Sequence, residues 1–267
     1  MNIDRTLYRI KKCNGSTTCV LVSTFLLLFF SLFFIFPELY SAYGVELFSK
    51  DEAPFDIPYD IWVAKYWNWW IGTSIDEATP KQDGCLINKS ESLVMLMETA
   101  DTTSASQVCD ISSTQGILIP MWIGWCDNSP GTPGRSPNEP LSKCARELAN
   151  LGNIRSDVKV DGIPVAKLDV RMSLISGKLD YKINSLTNVT ELYTAEFDLT
   201  IPPDTHKPNQ APGAWRAGGH GWFVFLKPLP PGEHTISYNV RVTPTGALTS
   251  PGTNPHFADI TYLLKVE

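Results

Sequence analysis

The residues best suited to chemistry in this 267-residue chain are four histidines, His206, His220, His234 and His256, all in the C-terminal half. Asp204, Glu233 and Asp259 stand near them in sequence, and imidazole together with carboxylate suits zinc, copper or iron. Strands could gather several of these groups at one point. The spacing, however, is not that of a metal motif. Neither HxH nor HExxH occurs, and three of the four histidines fall at turn-forming positions beside Pro208, Gly219 and Gly232. The plainer reading of those three is a half-exposed turn residue.

Tryptophan is the second conspicuous feature. Trp62, Trp67, Trp69 and Trp70 crowd one segment, and Trp122 and Trp125 precede Cys126. Exposed indoles stack on sugar faces, so Trp67, Trp69, Trp70, Trp122 and Trp125 are a candidate binding surface. An aromatic stripe that packs across a sheet explains the same residues without a ligand. Other constellations are weaker. The glycine-rich run at 217–221 precedes a strand instead of opening a helix, which does not support a phosphate cradle, and no GxSxG surrounds a serine. Asp76 and Glu77 read as a solvated loop. No catalytic residue, metal ligand or cofactor is assigned.

Asn88 and Asn188 head the sequons Asn88-Lys89-Ser90 and Asn188-Val189-Thr190 and are candidate glycosylation sites. Cys85, Cys109, Cys126 and Cys144 form an even set beyond the N-terminal segment, which in an oxidising compartment reads as two disulfides. The expected pairs are Cys85 with Cys109 and Cys126 with Cys144, each closing a loop of modest length. Zinc ligation would call for closer CxxC-type pairs.

That compartment is implied by the chain's start. Residues 19–36 are uncharged, 18 residues long, and hold six of the twelve phenylalanines; Arg5, Arg9, Lys11 and Lys12 stand just before them. As a helix the run reaches about 27 Å, against a hydrocarbon core of roughly 30 Å. Positive charge on the leading flank retains that end in the cytoplasm. The expectation is a cytoplasmic N-terminus at 1–18, a transmembrane signal anchor at 19–36 and an extracytoplasmic domain at 45–267. Cleavage as a signal peptide near Ala42-Tyr43-Gly44 is the alternative, and it would secrete the domain. Residues 1–44 hold four Lys/Arg and two Asp/Glu, so the exported part carries 18 against 26, a net charge of −8. Such a surface does not neutralise phosphates, and nucleic acid is not an expected partner. The membrane is, through residues 19–36, with a surface glycan or envelope protein as the further partner.

The elements that must position these residues follow from periodicity. Tyr59, Trp62, Tyr66, Trp69 and Trp70 predict a helix over 57–71, with Pro58 in its first turn and Gly72 as its stop. Leu141, Ala145, Leu148 and Leu151 predict a second over 140–151, capped by Asn138 and ended by Gly152. Elsewhere the pattern alternates with period two. Tyr193, Ala195, Phe197, Leu199 and Ile201 are expected to share one face of a strand, and Ile236, Tyr238, Val240 and Val242 another; Ile260, Tyr262, Leu264 and Val266 form a third such set. Residues 93–97 and 222–226 are apolar on both faces and belong at the centre. Asp161-Gly162 signals a hairpin, and Pro230-Pro231-Gly232 turns one strand back into the next. Six to nine strands so punctuated predict one mainly β domain, an antiparallel β-sandwich or jelly roll with two short accessory helices, preceded by one N-terminal transmembrane helix.

The segments YWNWW at 66–70, DGC at 83–85, ILIPMW at 117–122, VDGIPV at 160–165 and FLKPLPPGEHTISY at 225–238 together resemble an uncharacterised group of exported proteins. That group is seen in archaea, especially ammonia-oxidising ones, and in some bacteria. The resemblance implies a secreted or surface-attached β-rich domain of unknown activity, with no catalytic residues to carry over. The expected role is that of a membrane-anchored cell-surface protein in binding or envelope structure. An extracytoplasmic metalloenzyme of jelly-roll type using the histidines and a carbohydrate-binding module using the tryptophans are the rival readings.

Overall fold

A computed structural model describes residues 44–74, 87–88, 92–96, 104–130, 140–149, 152–175, 178–205, 210–244 and 256–267. The expected anchor at 19–36, the cleavage site near 42–44 except Gly44, Cys85 and His206 lie outside the described residues. No described helix is long and apolar enough to cross a membrane. The chain divides into Met1–Gly44 and Val45–Glu267, and the second unit holds everything discussed below.

Two α-helices, a 3-10 turn at Pro54–Asp56 and twelve strands are described. Helix α1 is Tyr59–Gly72 and α2 is Leu141–Ala149. The strands are β1 Ile87–Asn88, β2 Leu93–Leu96, β3 Ser104–Ile111, β4 Gly116–Asp127, β5 Gly152–Val160 and β6 Ile163–Ile175. They continue with β7 Lys178–Thr187, β8 Thr190–Tyr193, β9 Phe197–Ile201, β10 Gly213–Leu226, β11 Gly232–Pro244 and β12 His256–Val266. The first sheet runs β1-β2-β4-β10-β8, with β9 also paired to β10; the second runs β3-β12-β11-β5-β6-β7.

The chain is mainly β, as its alternation predicts, but the sheets are mixed. β2 pairs with β4, and β3 with β12, in parallel. The purely antiparallel expectation fails there because a period-two pattern reports which face is buried and carries no sign of strand direction. The Pro-Pro-Gly segment also does something other than close a hairpin: β10 before it and β11 after it belong to different sheets, so the chain crosses between layers there. The Asp161-Gly162 turn does join a paired β5 and β6, with φ of 51° and 77° at its two residues, the left-handed pair that a two-residue hairpin favours.

Val94, Ile117, Ile119, Trp222 and Val224 of the first sheet share one apolar core with Val158, Leu168, Ile236, Val240 and Tyr262 of the second. The alternate residues Leu93, Met95, Leu118, Phe223 and Phe225 face the other way, onto Trp62, Tyr66, Trp67 and Trp70 of α1. The first sheet is therefore covered on both faces, which is why residues 93–96 and 222–226 are apolar throughout. Helix α1 begins one residue after Pro58, whose missing N–H costs nothing in a first turn. Its buried residues come in adjacent pairs, 62 with 63, 66 with 67 and 70 with 71, so Trp67 goes into the core while Trp69 stays half-buried. Helix α2 falls within its predicted span, but Gly152 opens β5 and does not stop the helix.

The predicted strand over 193–201 is broken. β8 pairs Tyr193 with His220, and β9 pairs Phe197 with Ala217, so the three residues 194–196 stand against only two, 218 and 219, on β10. Thr194 makes the break: its N–H and hydroxyl both donate to Gly219 O, at 2.9 and 3.4 Å, and its Oγ1 accepts from Gly219 N–H at 2.7 Å. One surplus residue in a period-two element reverses every side chain beyond it. Leu199 and Ile201 face α1, whereas Glu191 and Tyr193 lie in register with Trp222 and His220 on the inner face.

Candidate functional site

The glycines ahead of His220 let both helices close on β10. A Cβ on Gly218 would stand 2.6 Å from Ser142 N and 2.7 Å from Leu141 C at the start of α2. One on Gly219, which faces the other way, would stand 2.6 Å from Trp67 Nε1 on α1. These are approaches that only glycine permits. The disulfide Cys126–Cys144, with Cα atoms 5.8 Å apart, fastens α2 to β4 beside this point.

His220 follows directly and is wholly buried. Its Nε2 lies 3.0 Å from Glu191 Oε1, and the Tyr193 hydroxyl donates to the same oxygen at 2.7 Å. The His220 hydrogen bond above all, then those of Tyr193 and the charges of His220 and Arg146, hold the Glu191 carboxyl below its usual pKa, against burial, which pushes it up. Glu191 is thus a carboxylate at neutral pH, an acceptor only, and the proton of the shared bond sits on Nε2. The Tyr193 ring lies 4.5 Å from the imidazole, and the Trp222 indole meets it edge-on at 4.8 Å. Arg146 reaches from α2 to within 5.8 Å of the Tyr193 ring, inside cation–π range.

A second pair stands on the other sheet. His234 Nδ1 lies 2.8 Å from Asp161 Oδ2, and its Nε2 lies 2.9 Å from Pro230 O. Asp161 Oδ1 accepts from Thr235 N–H at 2.7 Å. One aspartate thereby ties the β5–β6 turn to the start of β11. The cluster is a fastening between loops, held by local hydrogen bonds on every polar atom of the ring.

His220 and His234 each find a carboxylate, Glu191 and Asp161, from 29 and 73 positions away, and not the sequence neighbours Asp204, Glu233 and Asp259. His256 is the first residue of β12, in register with Val242. Among the described residues no three His, Cys, Asp or Glu side chains gather as metal ligands. Glu191, Tyr193 and Arg146 were missed in the sequence because their grouping depends on the slip at Thr194 and on the seat of α2. Asp161 was visible only as a turn residue.

All eight tryptophans are described, and none is exposed. Trp67 and Trp70 are buried under the first sheet's outer face; Trp69, Trp122 and Trp125 are half-buried. Trp67 and Trp125 pack with ring centroids 4.9 Å apart, and Trp125 Nε1 donates to Asp127 Oδ2 at 3.2 Å. The bond Cys126–Cys144 forms as expected; Cys109 is also disulfide-bonded, with the expected partner Cys85 outside the described residues. Asn188 is exposed at a left-handed position, φ 54°, and its Nδ2 donates to Val165 O at 2.8 Å. Asn88, in β1, is half-buried.

The Glu191–His220 pair has the composition of a general base and its orienting acid, but the imidazole carries no exposed surface through which a substrate could reach it. What the arrangement does is hold a half-buried carboxylate by two hydrogen bonds and tie β8 to β10, with Arg146 of α2 against the Tyr193 ring. No family model and no curated protein matches the chain.

Proposed function

We propose that this chain is a membrane-anchored protein of the cell surface, whose exported domain is a β-sandwich serving binding or envelope structure without catalysis. The two sheets that share one core are the layers of that sandwich, and α1 and α2 are its accessory helices. The carrying observation is the oxidation of Cys109, Cys126 and Cys144, a state that extracytoplasmic compartments sustain and a reducing cytosol does not. The uncharged run at 19–36 behind four basic residues supports the same placement. So does the resemblance to exported archaeal proteins. In this reading residues 19–36 hold the membrane and the partner outside is a glycan or an envelope protein.

The rival readings have less support. A sugar-binding module of the tryptophan type presents coplanar, solvent-exposed indoles, and the indoles here are buried or half-buried. A metalloenzyme needs converging rings, whereas His220 and His234 are each engaged with a separate carboxylate.

The test is cell fractionation with protease treatment of intact cells, followed by thiol alkylation before and after reduction. Membrane-bound material, digestible from outside and alkylated at Cys126 and Cys144 only after reduction, is the expected result. An intact soluble chain in the cytosol with free thiols would overturn the reading. Stoichiometric metal in the purified chain would replace it with the metalloenzyme.

A further inference from the structure

Buried polar atoms in folded proteins nearly always have a hydrogen-bond partner, and one that lacks it calls for a specific explanation. His220 Nδ1 and Trp222 Nε1 are both buried and both without a protein partner. Their rings project from the same face of β10, with centroids 4.8 Å apart at 80°. Neither is served by the strands on either side of β10. On β4 the residue opposite His220 is Gly124, which has no side chain, and the one opposite Trp222 is Trp122, whose indole nitrogen only donates. On β8 the residue opposite His220 is Tyr193, whose hydroxyl donates to Glu191, and the one opposite Trp222 is Glu191 itself, whose Oε1 is engaged by His220 and Tyr193 and whose carboxylate makes no bond to the indole.

We propose that one buried water molecule bridges His220 Nδ1 and Trp222 Nε1 in the layer between the sheets. The two nitrogens select water by their opposite character. The indole N–H can only donate, so it requires an acceptor and turns away a metal cation. With Nε2 protonated toward Glu191, Nδ1 of the neutral imidazole offers a lone pair, so it requires a donor and turns away an anion. Water supplies both functions in one molecule. It also serves the ring in its other state, since a doubly protonated imidazole would donate to one water lone pair while the indole donates to the second. Two polar partners are the fewest by which interior water is ordinarily held. Bound there, the water joins Trp222, His220, Glu191 and Tyr193 into one hydrogen-bonded chain running from the core to the surface.

The direct test is a crystal structure of the full chain at a resolution that places ordered solvent. One water within about 3.2 Å of both nitrogens is expected. A metal ion there, a direct contact between the nitrogens, or a dry gap would each overturn the proposal. In solution, the Trp222 Nε1–H should show a nuclear Overhauser contact with long-lived water that His220→Phe abolishes. Persistence of that contact in a folded His220→Phe variant would show that the water does not depend on the bridge. The wild-type measurements decide the matter even where the variant fails to fold.

Discussion

Replacing Glu191 by alanine tests the site most directly. Glu191 Oε1 accepts two hydrogen bonds, and their fates on its removal differ. Tyr193 is 42% exposed, so its hydroxyl rehydrates at little cost. His220 is wholly buried and its Nε2–H has nowhere to turn. An orphaned buried donor costs about 1–3 kcal/mol, and this one also loses the stronger, charge-assisted form of the bond. We expect a loss of about 2–3 kcal/mol at neutral pH. For a domain of this size that lowers the melting temperature by about 4–12 °C, taking roughly 2–4 °C per kcal/mol. Thermal unfolding followed by circular dichroism reads the difference.

The pH dependence of the same pair fixes the sign. The folded-state pKa of Glu191 lies below the unfolded value near 4.5, so its contribution is complete above that pH and is lost as pH falls through the lower, folded value. The gap between wild type and Glu191→Ala should therefore close in acid. Tyr193→Phe should cost less than about 0.5 kcal/mol, since the lost partner is a solvated hydroxyl. A Glu191→Ala protein as stable as wild type at neutral pH, or a gap that is constant into acid, would refute the reasoning.

Gly218→Ala should cost at least about 1–3 kcal/mol, the usual range for overpacking, because its Cβ meets the α2 backbone and a disulfide limits the helix's retreat; urea denaturation measures it. Cys126→Ser with Cys144→Ser should cost about 3 kcal/mol by loop-closure entropy over the 18-residue separation, and reduction of the wild type should cost more in the same assay, since it also breaks the bond at Cys109. His234→Ala should destabilise by about 1–2 kcal/mol and raise amide exchange at Asp161 and Thr235, since its bonds to Pro230 and to Asp161 disappear and the second of these ties the turn to β11. Trp67→Ala should cost about 3–5 kcal/mol by emptying a buried indole site between α1 and β10, again by denaturation.

Much of the fold is legible in the residues. Alternation over 236–242 and 260–266 marks half-buried strands, and the doubly apolar runs at 93–96 and 222–226 mark a sheet covered on both sides. The Asp-Gly turn and both helices stand where spacing puts them. Parallel pairing, the crossover after β10 and the count of twelve strands were not legible, because partner choice is settled by contacts far apart in the chain. Trp67 illustrates the limit within a single helix: the predicted stripe of Tyr59, Trp62, Tyr66, Trp69 and Trp70 leaves it out, yet it is buried, and the glycine that makes room for it is 152 residues away, at Gly219.

By itself, the sequence determined composition-level properties: an acidic domain rich in breakers, an uncharged run behind basic residues, cysteines in an even set, and the faces of the regular strands. Each of these depends on neighbours a few positions away. Tertiary structure alone decided that His220 meets Glu191 and Tyr193. A single surplus residue at Thr194 turned those two side chains to the inner face while Leu199 and Ile201 went outward, and period-two alternation has no term for such a slip.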